Sequence, residues 1–300
     1  MPLFFTLLSQ ASHEEVTSGA HTWWALFLFV WWACVFLYGS CRIVGKLRLK
    51  LAFKPNAQSY LLPIEPLAPA FGGKCLPMLF FLWACFYIPM LVQKTCLHFG
   101  SAYLPTARAE RVFCLTFLGQ IVWLLLYRCV GNYKYNRTSY AWLQAIRLGF
   151  QSYCELIPCL LLLVLFKELC VYGLRQLNFN FEPTMQPIVS LLLEGQLSSW
   201  PLFIAFVSVT VLAPICEEML FRGLIFNFLA SKVSRMFALL GSSLLFAAMH
   251  FHLDSFIYLF FLGVWLCVTY YKSGNIWVNI VVHALFNGSN FLCLLILSDR

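Results

Sequence analysis

Residues 202–228 read LFIAFVSVTVLAPICEEMLFRGLIFNF, and this stretch indicates the fold class of the chain. It is apolar and long enough to cross a bilayer as one helix, because about 20 residues at 1.5 Å each span the hydrocarbon layer. Yet Glu217, Glu218 and Arg222 lie in its middle. An ionisable group at that depth costs about 2.5 to 3.5 kcal/mol unless it is paired or faces a wet cavity. The three residues therefore mark a candidate site.

The rest of the chain is equally apolar. Of its 300 residues, 61% are hydrophobic, 18% aromatic and only 11% charged, which is more apolar surface than a water-soluble fold could cover. A lipid-embedded backbone must satisfy its own hydrogen bonds, and no segment alternates like the strand of a membrane barrel. We therefore predict an all-α, polytopic transmembrane helix bundle with about eight spans. The predicted spans are 23–39, 76–92, 112–127, 150–171, 202–228, 236–251, 256–271 and 276–297.

The formal charge of +8 fits a multi-pass membrane protein. Lys and Arg concentrate in the predicted connections 40–74 and 128–147, as they do on one side of membrane proteins. Anionic lipid beside these connections accounts for a basic surface, so membrane lipids are predicted partners and nucleic acid is not. We expect the plasma or inner membrane in a bacterium, and the endoplasmic reticulum in a eukaryote.

Thirteen cysteines are scattered along the chain, and no two of them have CxxC spacing. We interpret them as small hydrophobic residues rather than a disulfide or metal framework.

Helical geometry separates the two glutamates. Glu218 and Arg222 are four residues apart, about 40° around the helix, with the acid N-terminal to the base, so they can neutralise each other. This pair by itself is typical of a structural contact. Glu217 lies about 100° from Glu218 and is predicted to point elsewhere, which makes it the candidate general base.

Two further predicted helices carry polar residues at bilayer depth. One ends in Phe246-Ala-Ala-Met-His250, and the last contains His283-Ala-Leu-Phe-Asn287. The polar residues of the last helix, spaced by four, four and three, are Asn279, His283, Asn287 and Asn290. Such a stripe often only joins helices through hydrogen bonds, and a lone His can be a packing residue. Together with the glutamates, however, these side chains supply a base and hydrogen-bond donors in one apolar surround, which favours a catalytic site.

These residues resemble the intramembrane CAAX prenyl protease and bacteriocin-processing family, which includes the Ras-converting CAAX endopeptidase. Its pattern is EExxxR, FxxxH and HxxxN, in that order. The matching positions are Glu217, Glu218, Arg222, Phe246, His250, His283 and Asn287. The resemblance predicts a catalytic core over residues 200–300, packed in one membrane domain with N-terminal helices over 1–199 whose role is not assigned.

The resemblance implies an endopeptidase that hydrolyses a peptide bond of a membrane-associated, lipidated or unmodified, protein or peptide. Glu217 and His250 would activate a water molecule. His283 and Asn287 would orient the carbonyl group and stabilise the oxyanion. The predicted brace of the site is the pair Glu218 and Arg222.

The metal requirement is left open at this point. Glu217, His250 and His283 are a plausible set of Zn²⁺ ligands with an open fourth position. A glutamate-activated water without metal uses the same residues, and the chain lacks the HExxH motif of many zinc proteases.

Two other functions fit the same sequence. A non-proteolytic immunity or assembly factor of this fold would act by binding a membrane partner. A transporter would use Glu217 and His250 as a proton relay, although the chain lacks the inverted repeat typical of transporters.

Overall fold

The computed structural model describes residues 19–52, 105–130, 142–177, 198–250 and 252–297. Within these ranges the chain is helical and contains no strand, which confirms the all-α prediction. The helices are α1 (Gly19–Ala52), α2 (Pro105–Val130), α3 (Trp142–Gln176), α4 (Ser199–Ala230), α5 (Arg235–Ala248), α6 (Leu253–Ser273) and α7 (Ile276–Leu297).

Three of the described helices are long and apolar enough to cross a membrane: α4, α6 from Asp254, and α7 as far as Ile296. The predicted spans 23–39, 112–127 and 150–171 fall inside α1, α2 and α3. The predicted span 76–92 lies outside the described residues, so the total of eight stays a prediction.

Helix α5 is shorter than the predicted span 236–251. It has 14 residues, about 21 Å of helix, and ends at Ala248. His250 therefore lies in the turn that follows the helix and not inside it.

Helix α4 contains two π-helical segments, one before the two glutamates and one directly after them. Residues Ser208–Leu212 and Met219–Phe226 are π-helical, and Ala213–Glu218 between them is α-helical. In the first π turn the N–H of Ala213 donates to the carbonyl of Ser208, five residues back. The next N–H in this register would come from Pro214, which has none, so the Val209 carbonyl is left for another donor. Wider π turns of this kind often occur at functional sites.

Helix α7 crosses the bundle in the direction opposite to α4. Near one end of the contact, the Nδ2 of Asn287 donates to the Val209 carbonyl at 3.0 Å. Near the other end, the Nδ2 of Asn279 donates to Glu218 at 3.1 Å. The polar residues of the two helices therefore face each other over about two helical turns.

Close helix contacts hold the bundle around this seam. A Cβ on Gly149 of α3 would lie 2.6 Å from the Val281 side chain of α7, and one on Gly263 of α6 would lie 3.1 Å from Ser243 of α5. The neighbouring helix leaves no room for a Cβ at Gly149, and at Gly263 it leaves room only if the helices move apart by a few tenths of an ångström. Buried apolar side chains of α3 to α7 fill the remaining interior, among them Leu160, Phe221 and Leu266.

Candidate active site

Glu218 is the centre of the polar cluster, and its side chain is fully buried. Its Oε1 accepts a hydrogen bond from Nη1 of Arg222 at 2.8 Å and lies 2.9 Å from Nδ1 of His283. Its Oε2 accepts from Asn279 at 3.1 Å. An ionised carboxylate only accepts, so Nδ1 of His283 carries the hydrogen. The predicted pair of Glu218 with Arg222 is present, and the same carboxylate also joins α4 to α7.

Arg222 extends the cluster to two more helices. Its Nη2 donates to the carbonyl oxygen of Gly263 in α6 at 3.0 Å. Its guanidinium also lies over the Phe246 ring of α5, 4.7 Å from the centroid. These contacts with a carboxylate, a carbonyl and an aromatic face offset part of the cost of burying the cation, while its Nε has no hydrogen-bond partner among the described residues.

Glu217 is placed differently from its neighbour. Its side chain is 13% exposed, and its Oε2 lies 3.6 Å from Nε2 of His283. That oxygen is buried and has no hydrogen-bond partner among the described residues. Glu217 and Glu218 point in different directions, yet the two carboxylates face opposite nitrogens of one imidazole. The reason is that His283 comes from α7 and fits between them.

His250 is held by Phe246, the first residue of the FxxxH motif. Its Nδ1 lies 2.7 Å from the carbonyl oxygen of Phe246. A carbonyl only accepts, so Nδ1 carries the hydrogen and Nε2 is an open acceptor. The Phe246 ring contacts both histidines, with centroid distances of 4.9 Å to His250 and 5.7 Å to His283. Phe246 therefore fixes the positions of the two imidazoles.

The polar stripe of α7 divides into parts with different partners. Asn279 and His283 bond to Glu218, whereas Asn287 bonds to the carbonyl that Pro214 leaves open. Asn290 donates to the Phe286 carbonyl of its own helix at 2.9 Å and joins no other site residue through that bond.

Sequence reasoning missed two members of the cluster. Asn279 was noticed only as part of the stripe, yet its Nδ2 donates both to Glu218 and to the Leu266 carbonyl. Gly263 was not noticed, because it takes part through a backbone oxygen, and no side-chain pattern identifies such an acceptor. A Pro within an apolar helix is the one signal that could have pointed to the open Val209 carbonyl.

The donor geometry was also tested against zinc. Among the described residues, no three His, Cys, Asp or Glu side chains converge to hold a metal ion. Glu217 and His283 offer two donors, but Nδ1 of His283 is occupied by Glu218 and His250 does not complete the set. The described side chains thus do not fit a three-ligand zinc site, and we derive no step through a metal.

Comparison with known proteins points to the same helices. Residues 199–289, which include α4 to α6 and most of α7, match the family described as "Type II CAAX prenyl endopeptidase Rce1-like". The resemblance predicted from the three motifs is therefore confirmed over this part of the chain. Since that family is embedded in membranes and three described helices can cross one, the chain is an integral membrane protein.

One curated relative is a Bacillus subtilis protein described as "Putative membrane peptidase YdiL". It is 34% identical over 78 residues, which is 26% of this chain and 32% of the relative. The match thus spans about a third of the length of that relative. No solved structure matches the chain.

Proposed function

We propose that the chain is an intramembrane endopeptidase that hydrolyses a peptide bond of a membrane-associated peptide with a water activated by Glu217 and His250. The observation that carries the proposal is the buried Oε2 of Glu217, which has no hydrogen-bond partner among the described residues. The similarity to an endopeptidase family and to a relative named as a membrane peptidase supports the same reaction.

Activation of water needs an acceptor that is not already used. Both oxygens of Glu218 already accept hydrogen bonds from fixed side chains, and the carboxylate is fully buried, so it is poorly placed to accept from a reacting water. Glu217 has such capacity on Oε2, and His250 has it on Nε2. Glu217 takes a proton from the water molecule while the oxygen of that water attacks the carbonyl carbon of the substrate. The proton then passes to the nitrogen of the leaving amine as the peptide bond breaks. General base catalysis of this type typically contributes about 10² to 10⁴ in rate.

Stabilisation of the oxyanion falls to α7 in this proposal. The proposed mechanism requires a hydrogen on each ring nitrogen of His283. Nδ1–H donates to Glu218, and Nε2–H, on the side of Glu217, donates to the substrate carbonyl oxygen. Asn287 uses one amide hydrogen on the Val209 carbonyl and offers the second to the same oxygen. Fixed donors in a dry site stabilise developing charge far better than water does.

The role of Glu218 and Arg222 is to hold this geometry. Because Glu218 fixes Nδ1 of His283, it sets the direction in which Nε2 points. Arg222 ties the same carboxylate to α5 and α6. These two residues act through His283 and do not contact the reacting atoms.

The test is cleavage of a panel of prenylated and unmodified transmembrane peptides by the purified full chain in detergent, with products measured by mass spectrometry. We expect wild type to cleave at least one peptide, and Glu217→Gln to lose about 10³-fold or more in rate while keeping its thermal stability. Glu110→Gln is the matched control, since Glu110 lies on α2 and bonds to Ser198 at an exposed position. Cleavage by Glu217→Gln at the wild-type rate would refute the proposal.

Two further measurements separate the alternatives. Metal analysis of the active protein, with and without a chelator, tests the Zn²⁺ prediction independently of the proposed role of Glu217. If no peptide in the panel is cleaved and a cellular phenotype survives in Glu217→Gln, the binding-factor function replaces the protease.

A further inference from the structure

Helix α3 carries, besides the buried Glu155, a charged side chain that faces inward. Its buried stripe includes Leu160 and Val164, and the next position at helical spacing is Lys167. The Lys167 side chain is only 24% exposed, compared with 64% for Phe166 and 51% for the side chain of Glu168. Lys167 thus points into the bundle, whereas its two neighbours point outward. An inward ionisable group in a membrane bundle is expected to have a functional partner.

A buried hydroxyl donor lies beside Lys167 on α6. Tyr258 is 3% exposed, and its hydroxyl group is buried without a hydrogen-bond partner among the described residues. The Lys167 ammonium lies 5.7 Å from the centre of the Tyr258 ring. A buried hydroxyl without a partner costs free energy, so its presence next to an inward cation indicates a ligand.

Both groups lie at the depth of the proposed base. Helices α4 and α6 run in the same direction, because Arg222 contacts Gly263 and, further along both helices, Asn227 contacts Tyr270. Tyr258 precedes Gly263 by five residues, and Glu217 precedes Arg222 by five, about 7.5 Å along each helix. Tyr258 and Glu217 are therefore at about the same level.

The chemistry of the two donors selects a carboxylate. An ammonium and a phenol hydroxyl can both donate to one negatively charged group, and such charge-assisted bonds are the strong ones. The carboxylate of Glu168 lies 3.6 Å from the Lys167 ammonium, which is longer than a hydrogen bond, and the Glu168 side chain is half exposed. Glu168 can therefore yield its place to a ligand.

We propose that Lys167 and Tyr258 bind a carboxylate group of the peptide substrate, either its C-terminus or an acidic side chain. This inference rests on the proposed endopeptidase function. Packed helices have axes about 8 to 10 Å apart, and an extended peptide advances about 3.3 to 3.6 Å per residue. A carboxylate two to four residues from the peptide bond that the Glu217-activated water attacks would reach Lys167 and Tyr258. Lys167 and Tyr258 are thus specificity residues.

The experiment measures binding separately from cleavage. The Glu217→Gln variant in detergent is titrated with a fluorescein-labelled peptide of the panel. The peptide is used in three forms: the free acid, the C-terminal amide, and a form whose acidic side chains are changed to amides. We expect removal of one of these carboxylates to weaken binding about tenfold, because a charge-assisted bond is lost. The form that weakens binding identifies the source of the carboxylate. Adding Lys167→Gln should abolish the difference, Tyr258→Phe should reduce it, and Lys167→Arg should keep it.

The controls keep the outcomes distinct. Lys232→Gln, at an exposed turn after α4, and Tyr172→Phe, at an exposed position of α3, should leave the preference for the acid unchanged. Equal binding of all three peptide forms, or a preference that survives Lys167→Gln, would overturn the inference even if wild type cleaves the peptide. A Lys167-dependent preference in a chain that cleaves nothing would support the carboxylate site and count against the protease.

Discussion

Two buried glutamates, Glu218 in α4 and Glu155 in α3, show how differently the two halves of the bundle use the same chemistry. Glu155 accepts hydrogen bonds from Arg42 at 2.8 Å and from Lys46 at 2.6 Å, both on α1. These cations are half-buried and exposed, respectively. The partners of Glu218, by contrast, are all buried within the bundle. The first cluster opens to the surface, and the second is closed on every side.

Glu155 is buried in the body of α3, and the side chain that reaches outward is Lys46. Close packing accounts for this arrangement, since Gly39 of α1 lies against the Cys154 backbone and brings the basic face of α1 onto the carboxylate. The comparison shows that a paired carboxylate such as Glu155 can serve to hold two helices together. The candidate site is distinguished by the Oε2 of Glu217, which has no hydrogen-bond partner among the described residues.

The largest expected effect on stability separates the two clusters directly. Glu218→Ala leaves Arg222 charged and buried without its carboxylate, which should cost about 3 to 5 kcal/mol in the free energy of unfolding. Glu155→Ala leaves cations that can turn toward water or lipid headgroups, so about 1 kcal/mol is expected. Unfolding in mixed micelles measures both. Equal losses would show that the two clusters are energetically alike and would break the comparison.

The next effect concerns rate and not stability. Asn287→Ala removes the proposed oxyanion donor, and a loss of about 10² to 10³ in kcat is expected. Asn290→Ala is the matched control, because Asn290 lies on the same helix and donates to the Phe286 carbonyl of that helix rather than to Val209. Single-turnover cleavage by the two variants compares them. A normal rate for Asn287→Ala would assign Asn287 to helix packing alone, through its bond to Val209.

Local rules of sequence explain which parts of this site were predictable. The pair of Glu218 and Arg222 follows from helical spacing, since both residues are on one helix and no tertiary contact is needed to bring them together. The motif spacing also predicted His283 on the last helix, whereas His250, predicted inside a helix, lies in the turn that follows α5. The family resemblance is confirmed for residues 199–289. The catalytic roles of these residues and the division of the chain at residue 199 stay predictions.

The parts that were not predictable depend on contacts between helices. His283 reaches both glutamates only because α7 crosses α4 at a particular rotation, and periodicity within one helix does not contain that angle. The early end of α5 and the two π turns of α4 are likewise adjustments to packing. Their one local signal is Pro214, whose missing N–H opens a carbonyl that Asn287 then uses.

The smallest expected effect tests whether the closed cluster needs close contact between α5 and α6. In Gly263→Ala the new Cβ lies 3.1 Å from Ser243, so the two helices must separate by a few tenths of an ångström. Overpacking of this kind costs about 1 to 3 kcal/mol, and it also displaces the carbonyl that accepts from Arg222.

Gly173→Ala is the matched control for this substitution, because Gly173 of α3 has open space around it. Alanine favours a helix over glycine by about 1 kcal/mol, so Gly173→Ala should leave stability unchanged or raise it. Unfolding curves and cleavage rates are measured for both variants. If Gly263→Ala and Gly173→Ala have the same stability and the same cleavage rate, the contacts of the Arg222 guanidinium do not depend on the position of α6. The Glu218 cluster would then tolerate helix movement as readily as the open cluster around Glu155.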